Sequence, residues 1–263
     1  MSVKVQTVNT DKFKMKYFKF GSGDKPAVII PGLSLKSVSE TADSVASAYR
    51  AMNIDYTVYV FDRRLDCGEV YTVEDMADDT IEAFDILGIK HAYVFGVSQG
   101  GMIAQYIALK RPDLVQKLAL GSTAARITEQ NSGAVKNWAR LAEEKKTDAL
   151  IDSFLNAVYS NEFSEQFGKF IKELLINTSD LELERFAVYA KACDGFDLLD
   201  ELDKITCPIF VIGAENDNVL GAQASVELAE KANARLYMYE NYGHAVYDEA
   251  PDYLDRIIKF FAE

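Results

Sequence analysis

Short apolar runs recur along the chain at 27–30, 57–61, 92–95, 117–120, 209–212 and 236–239, most of them bounded by Gly, Pro, Asp or Asn. Most are rich in Val, Ile, Tyr or Phe, and both features favour buried strands over helix fragments. Residues 3–20 read as two strands joined by a polar turn at Asn9-Thr10-Asp11, an N-terminal hairpin. Between the apolar runs lie amphipathic stretches at 73–87, 99–110 and 222–232. In the first, Val73, Ala77, Ile81 and Phe84 recur at helical spacing, while Asp78, Glu82 and Asp85 repeat it on a neighbouring face. That is the pattern of a helix with one wet side. Strands alternating with helices predict an α/β fold: a mostly parallel, doubly wound sheet covered on both faces.

One region breaks the alternation. From 125 to 202 the periodicity is helical throughout, with the only tryptophan, Trp138, and aromatics including Phe154, Tyr159, Phe163, Phe167 and Tyr189. An all-helical insertion of this length between two strands reads as a cap. The expected division is therefore a core of residues 1–124 and 203–263 with a helical cap at 125–202. No repeat, low-complexity tract or flexible linker interrupts it.

The strand at 92–95 runs into Gly96-Val97-Ser98-Gln99-Gly100-Gly101 and then into a helix. A G-x-S-x-G match arises by chance too often to decide anything alone. Between a strand and a helix it predicts a strained turn that presents the serine hydroxyl at the carboxyl end of the sheet, beside a helix N-terminus. Small residues two before and two after the serine relieve crowding between the two elements. Neither a GxGxxG fingerprint nor the GK[ST] of a phosphate loop is present.

A serine hydroxyl needs a base to take its proton. The chain has two histidines. His91 opens the same strand as Ser98, and extended backbone would hold them roughly 23 Å apart. His91 is expected to be an exposed strand-end residue. His244, just after the last strand, falls at the same sheet edge as Ser98 and is the candidate base. The third member must be a carboxylate that fixes the imidazole tautomer. The loop Ala214-Glu215-Asn216-Asp217-Asn218-Val219 offers Glu215 and Asp217, and Asp217 is preferred because Glu215 sits nearer the strand end. The order Ser98, Asp217, His244 is the one this architecture requires. Two backbone donors are needed for the oxyanion: Gln99, directly after the nucleophile, and Leu33, in Pro31-Gly32-Leu33-Ser34 after the strand at 27–30. Losing one such donor typically costs about 3 kcal/mol of transition-state stabilisation.

On these residues the chain resembles the α/β-hydrolase superfamily, in its small cap-bearing esterase, lactonase and haloperoxidase-like branch. The resemblance is carried by VIIPG, VFDRRLDCG and YTVEDMADDTIEAFDILGI before the elbow, and by KITCPIFVIGAENDNV and ENYGHAVYDEAPDYLDRIIKFF after the helical insertion. It implies a cofactor-free serine hydrolase in which the acid falls three or four residues after a strand-ending glycine. Here those positions are Asn216 and Asp217, and only Asp217 can carry charge. The family's usual His-Gly pair in the first loop is replaced by Pro31-Gly32. The resemblance also implies that Asp62-Arg63-Arg64 braces loops around the pocket, with a structural salt bridge as the expected form.

Composition narrows the partners. The formal net charge is −13, with acidic residues scattered rather than gathered in a tail. Such a surface repels phosphate backbones and anionic lipid, so neither nucleic acid nor a membrane is an expected partner. Three cysteines, Cys67, Cys193 and Cys207, form no CxxC pair. A sparse, odd count suggests reduced thiols and a cytoplasmic location. The first twenty residues lack the apolar core of a signal peptide, and no apolar run reaches the length of a membrane span. Two distant histidines with no ligand-spaced cluster argue against a metal. The expected activity is hydrolysis of a small carboxylic ester or lactone through an acyl-enzyme on Ser98. The same site could serve C–C hydrolysis, elimination or perhydrolysis, and the same fold could hold a ligand beside a slow triad.

Overall fold

A computed structural model describes residues 2–263. The N-terminal hairpin, β1 (Val5–Asn9) and β2 (Lys14–Phe20), leads into β3 (Lys25–Ile30), α1 (Ala42–Ala48) and β4 (Tyr56–Arg64). Then come α2 (Val73–Leu87), β5 (Ala92–Val97), α3 (Gln99–Lys110) and β6 (Val115–Gly121). Four helices follow without an intervening strand: α4 (Gly133–Glu143), α5 (Thr147–Val158), α6 (Asn161–Leu175) and α7 (Asp180–Lys191). The chain closes with β7 (Ile209–Ala214), α8 (Ala222–Lys231), β8 (Arg235–Tyr239), α9 (Val246–Glu249) and α10 (Tyr253–Ala262).

The eight strands form one sheet in the order β1-β2-β4-β3-β5-β6-β7-β8. Every pairing from β4 to β8 is parallel, and only the hairpin enters antiparallel. Alternation along each strand builds two cores. In β7, Ile209 and Val211 join the cluster under α2, α3, α8 and the inserted helices. Phe210 and Ile212 join the opposite cluster with Ala42 of α1 and Tyr253, Ile257, Phe260 and Phe261 of α10. Burial on both faces explains why these strands read as continuous apolar runs rather than alternating ones.

The helix predicted over 73–87 has those bounds for visible reasons. Thr72 and Asp75 form a reciprocal capping box, and Gly88 ends the helix at φ +68°. Its apolar face packs on β4, with the Phe84 and Phe61 rings 5.4 Å apart. Ile81 lies at the margin of that face, half-buried, whereas Asp79 is buried within it.

The strand order reverses at β3. The chain passes from β3 to β4 on one side and returns to β5 on the other. In a parallel sheet such a switch leaves a crevice outside the carboxyl ends of the two diverging strands, where ligands bind. Here those ends are β3, leading into Pro31-Gly32-Leu33, and β5, leading into Ser98.

Candidate active site

Ser98 joins β5 to α3 with φ +50° and ψ −123°, a backbone conformation that costs of order 1–3 kcal/mol for a residue with a side chain. The surroundings hold it there. The Ser98 N–H donates to the Gly121 carbonyl at 2.9 Å, and the Ser98 carbonyl accepts from Gly101 N–H and Thr123 Oγ1, both at 2.8 Å. The flanking glycines are steric necessities. A Cβ on Gly96 would stand 2.5 Å from the Gly100 carbonyl oxygen, and one on Gly100 would stand 2.0 Å from that of Ile30. The second contact seats the start of α3 directly on the end of β3. It brings Gly32 so close that a Cβ there would lie 3.2 Å from the Ser98 Cβ.

Asp217 and His244 follow β7 and β8, so all three candidate residues sit at the carboxyl edge of the sheet. His244 Nδ1 and Asp217 Oδ2 are 2.8 Å apart, with both side chains almost fully buried. The second carboxylate oxygen accepts from the N–H groups of Val219 at 2.8 Å and Leu220 at 3.0 Å. Burial alone would raise the pKa of Asp217. The His244 charge and these hydrogen bonds outweigh it and hold the carboxyl below its ordinary value. An ionised carboxylate on Nδ1 leaves Nε2 as the ring atom that can accept a proton. The Ser98 hydroxyl has no hydrogen-bond partner among the described residues, so the structure joins Asp217 to His244 and leaves Ser98 at the same edge, unengaged. Such bonds are often loose in ligand-free enzymes and tighten on substrate.

Leu33 and Gln99 flank Ser98. Among the described residues neither backbone N–H is engaged in a turn, loop or cap hydrogen bond. That is ordinary for Gln99 in the first turn of a helix, and it leaves both donors available. Behind them lies Arg63, 7% exposed. Its Nη2 donates to the Pro31 carbonyl at 2.7 Å and to Gln99 Oε1 at 3.3 Å. The Gln99 amide in turn donates to the Tyr189 carbonyl on α7 at 2.5 Å. Burial pushes the Arg63 pKa down, with Asp62 acting in the opposite sense. The brace expected at 62–64 is therefore present, but not as a salt bridge of Arg63. The ion pair belongs to its neighbour, Arg64 with Asp79 at 3.6 Å, and Asp62 binds the Ser37 hydroxyl. A buried cation beside two carbonyl-type oxygens cannot be told from a paired one by sequence. In the sequence Arg63 is marked only as part of the Asp62-Arg63-Arg64 brace that the resemblance implies, and no periodicity marks its partners.

His91 lies exposed immediately before β5, at the opposite end of the strand from Ser98. Three cysteines are free, two of them buried. Among the described residues no three His, Cys, Asp or Glu side chains are grouped to hold a metal, and no helix is long and apolar enough to cross a membrane.

Fold and site together define a doubly wound α/β protein with a strained serine at its switch point and a buried acid–histidine pair beside it. Residues 22–251 match the alpha/beta hydrolase fold family, and the chain belongs to it. It is 23% identical over 218 residues to 3-oxoadipate enol-lactonase 2 of Acinetobacter baylyi, covering 81% of this chain and 79% of that one. Among solved structures, an alpha/beta hydrolase enzyme from a Medee basin deep-sea metagenome library superposes with a TM-score of 0.88 at 22% identity, covering 98% of each chain. The enol-lactonase of Burkholderia xenovorans gives a TM-score of 0.84 at 24% identity, over 98% of this chain and 100% of that one. This is an alpha/beta hydrolase-fold enzyme.

Proposed function

We propose that the protein hydrolyses a small carboxylic ester or lactone through an acyl-enzyme on Ser98. The observation that carries the reading is the buried Asp217–His244 pair at 2.8 Å, held at the same sheet edge as a serine with φ +50°. In the first half-reaction Ser98 Oγ attacks the carbonyl carbon while His244 Nε2 takes its proton. The C–O bond to the alcohol then breaks, and the alcohol leaves with that proton. In the second, His244 deprotonates a water, which attacks the acyl carbon and returns Ser98 to its hydroxyl form. The oxyanion is received by the N–H groups of Leu33 and Gln99. Residues 125–202 act as a cap. The α5–α6 junction supports this role, because the Ala245 N–H donates to the Val158 carbonyl at 2.8 Å, one residue from the candidate base.

The relatives named as enol-lactonases favour a lactone or enol ester among acyl substrates. Ser98→Ala is expected to abolish both labelling by a fluorophosphonate probe and turnover of short p-nitrophenyl esters. Asp217→Asn should slow turnover about 10⁴-fold. Labelling that survives Ser98→Ala moves the nucleophile elsewhere. A labelled enzyme that turns over no ester points instead to C–C hydrolysis, elimination or perhydrolysis on the same residues. Ligand retention unaffected by either change makes the protein a binder with an idle triad.

A further inference from the structure

Between the loop after β3 and the inserted helices lies a cavity of about 460 Å³. It reaches the elbow, since Gly32, Leu33 and Val97 line it. Most of its remaining wall is apolar, from Val45, Val60, Phe154, Val158, Ile171 and Leu175 among others. Two carboxylates also line it, Glu40 beside the loop after β3 and Asp248, four residues after His244. Asp248 is exposed at the rim of the cavity, and the protein packed on its other sides raises its pKa to about 6. Among the described residues no Lys, Arg or His pairs with it, and its polar contact is the Tyr159 hydroxyl at 3.4 Å. Tyr49, Tyr159 and Tyr247 line the same cavity. The other charged groups near Asp248 do not neutralise it. Glu249 beside it is acidic, and Tyr49, Tyr247 and Tyr253 have their own pKa values raised by burial and by this carboxylate. The one cation on the cavity wall, Lys36, belongs to the loop after β3 and stands 3.7 Å from Glu182.

A carboxylate with no cationic partner, at the rim of a largely apolar cavity that three tyrosines line, is matched by one kind of ligand group. A compact organic cation satisfies the carboxylate by charge and the tyrosine faces by their quadrupoles, while its carbon substituents suit the apolar wall. Building on the hydrolase reading above, we propose that the Asp248 end of this cavity is a cation subsite, and that the enzyme acts on esters or lactones carrying an alkylammonium group. The net charge of −13 assists by drawing cations toward the molecule.

The test compares two esters of one shape, 2-(trimethylammonio)ethyl butyrate and 3,3-dimethylbutyl butyrate, which differ in charge alone. The wild-type enzyme is expected to prefer the cationic ester at least tenfold in kcat/KM, and Asp248→Asn to bring the ratio near one. A wild-type ratio of one or less, a ratio unmoved by Asp248→Asn, or a preference for a carboxylate-bearing ester such as monobutyl glutarate overturns the proposal. Calorimetric binding of pentyltrimethylammonium separates this subsite from the hydrolase reading. If neither ester turns over, binding that Asp248→Asn removes upholds the subsite and rejects hydrolysis, whereas absence of binding overturns the subsite itself. Thermal melts guard against a misfolded variant. A raised carboxyl pKa means folding disfavours the ionised form, so Asp248→Asn should raise Tm at pH 8, with the gain shrinking as pH falls through 6 toward 4. A variant that melts lower at pH 8 shows the carboxylate to be a structural group, and that also overturns the assignment.

Discussion

At the scale of single residues, Arg63 is the side chain on which both candidate oxyanion donors depend. It is buried without a carboxylate partner and spends Nη2 on the Pro31 carbonyl and the Gln99 side chain, one in each donor loop. Replacing it by methionine leaves two oxygens without a donor, a penalty of about 1–3 kcal/mol for each that stays buried. It also removes a buried charge, whose desolvation is costly, so the two effects offset each other. Stability should therefore change modestly, with Tm moving less than about 4 °C. Catalysis has no such compensation, because donors displaced by a fraction of an ångström fail the transition state more than the ground state. The expected outcome for Arg63→Met is a fall in kcat of about 10- to 100-fold with KM within about threefold. Steady-state kinetics beside a melting curve checks this, and retention of kcat within twofold would assign Arg63 to packing alone. Of the site's residues, Ser98, Asp217 and His244 were legible in the sequence because each follows a strand and the types are chemically distinctive. Arg63 was legible only through the resemblance, as part of a loop brace, and Asp248 was not legible at all, since absence of a partner leaves no trace in a linear chain.

At the scale of elements, legibility followed self-sufficiency. The predicted α2 and α3 bounds match the structure, because a capping box and a C-terminal glycine close α2 and the elbow opens α3. The predicted strands lengthen by a residue or more at one end or both, since pairing with neighbours extends them past their apolar centres. The inserted helices were visible as a helical region but not as four units, and their boundaries depend on tertiary contacts. α6 shows this most clearly. None of its residues is fully buried, and Phe167, Phe170 and Leu174 are exposed. Its start is held by Ser160, whose N–H and hydroxyl both bond to Glu249, at 3.0 and 2.5 Å, just after the His244 loop. A helix with so little burial is the element expected to open first. Glu249→Ala removes the anchor from the residue that caps it, a loss of about 1 kcal/mol at the helix N-terminus. Amide exchange over residues 161–175 should then quicken about fivefold while β5–β7 stay unchanged. Equal protection in both proteins would show α6 to be fastened by its other contacts.

At the scale of the whole molecule, sheet and charge act together on anything that approaches. The switch at β3 places the crevice at the carboxyl edge, and the net charge of −13 gives the whole molecule a negative potential. Screening acts within about 10 Å at 0.1 M salt, so a field from scattered surface charges weakens strongly between 0.01 and 0.3 M, whereas a contact inside the cavity is shielded less. Encounter with a cationic ester should therefore slow with salt, encounter with its neutral isostere should not, and encounter with an anionic ester should quicken. The expected result is a kcat/KM for the trimethylammonium ester that drops several-fold across that range, set against a flat line for the dimethylbutyl ester. The residual preference at 0.3 M then measures what Asp248 and its tyrosines contribute at close range, apart from steering. Parallel lines for the two esters would mean that the molecule's charge serves solubility and does not guide substrate to Ser98.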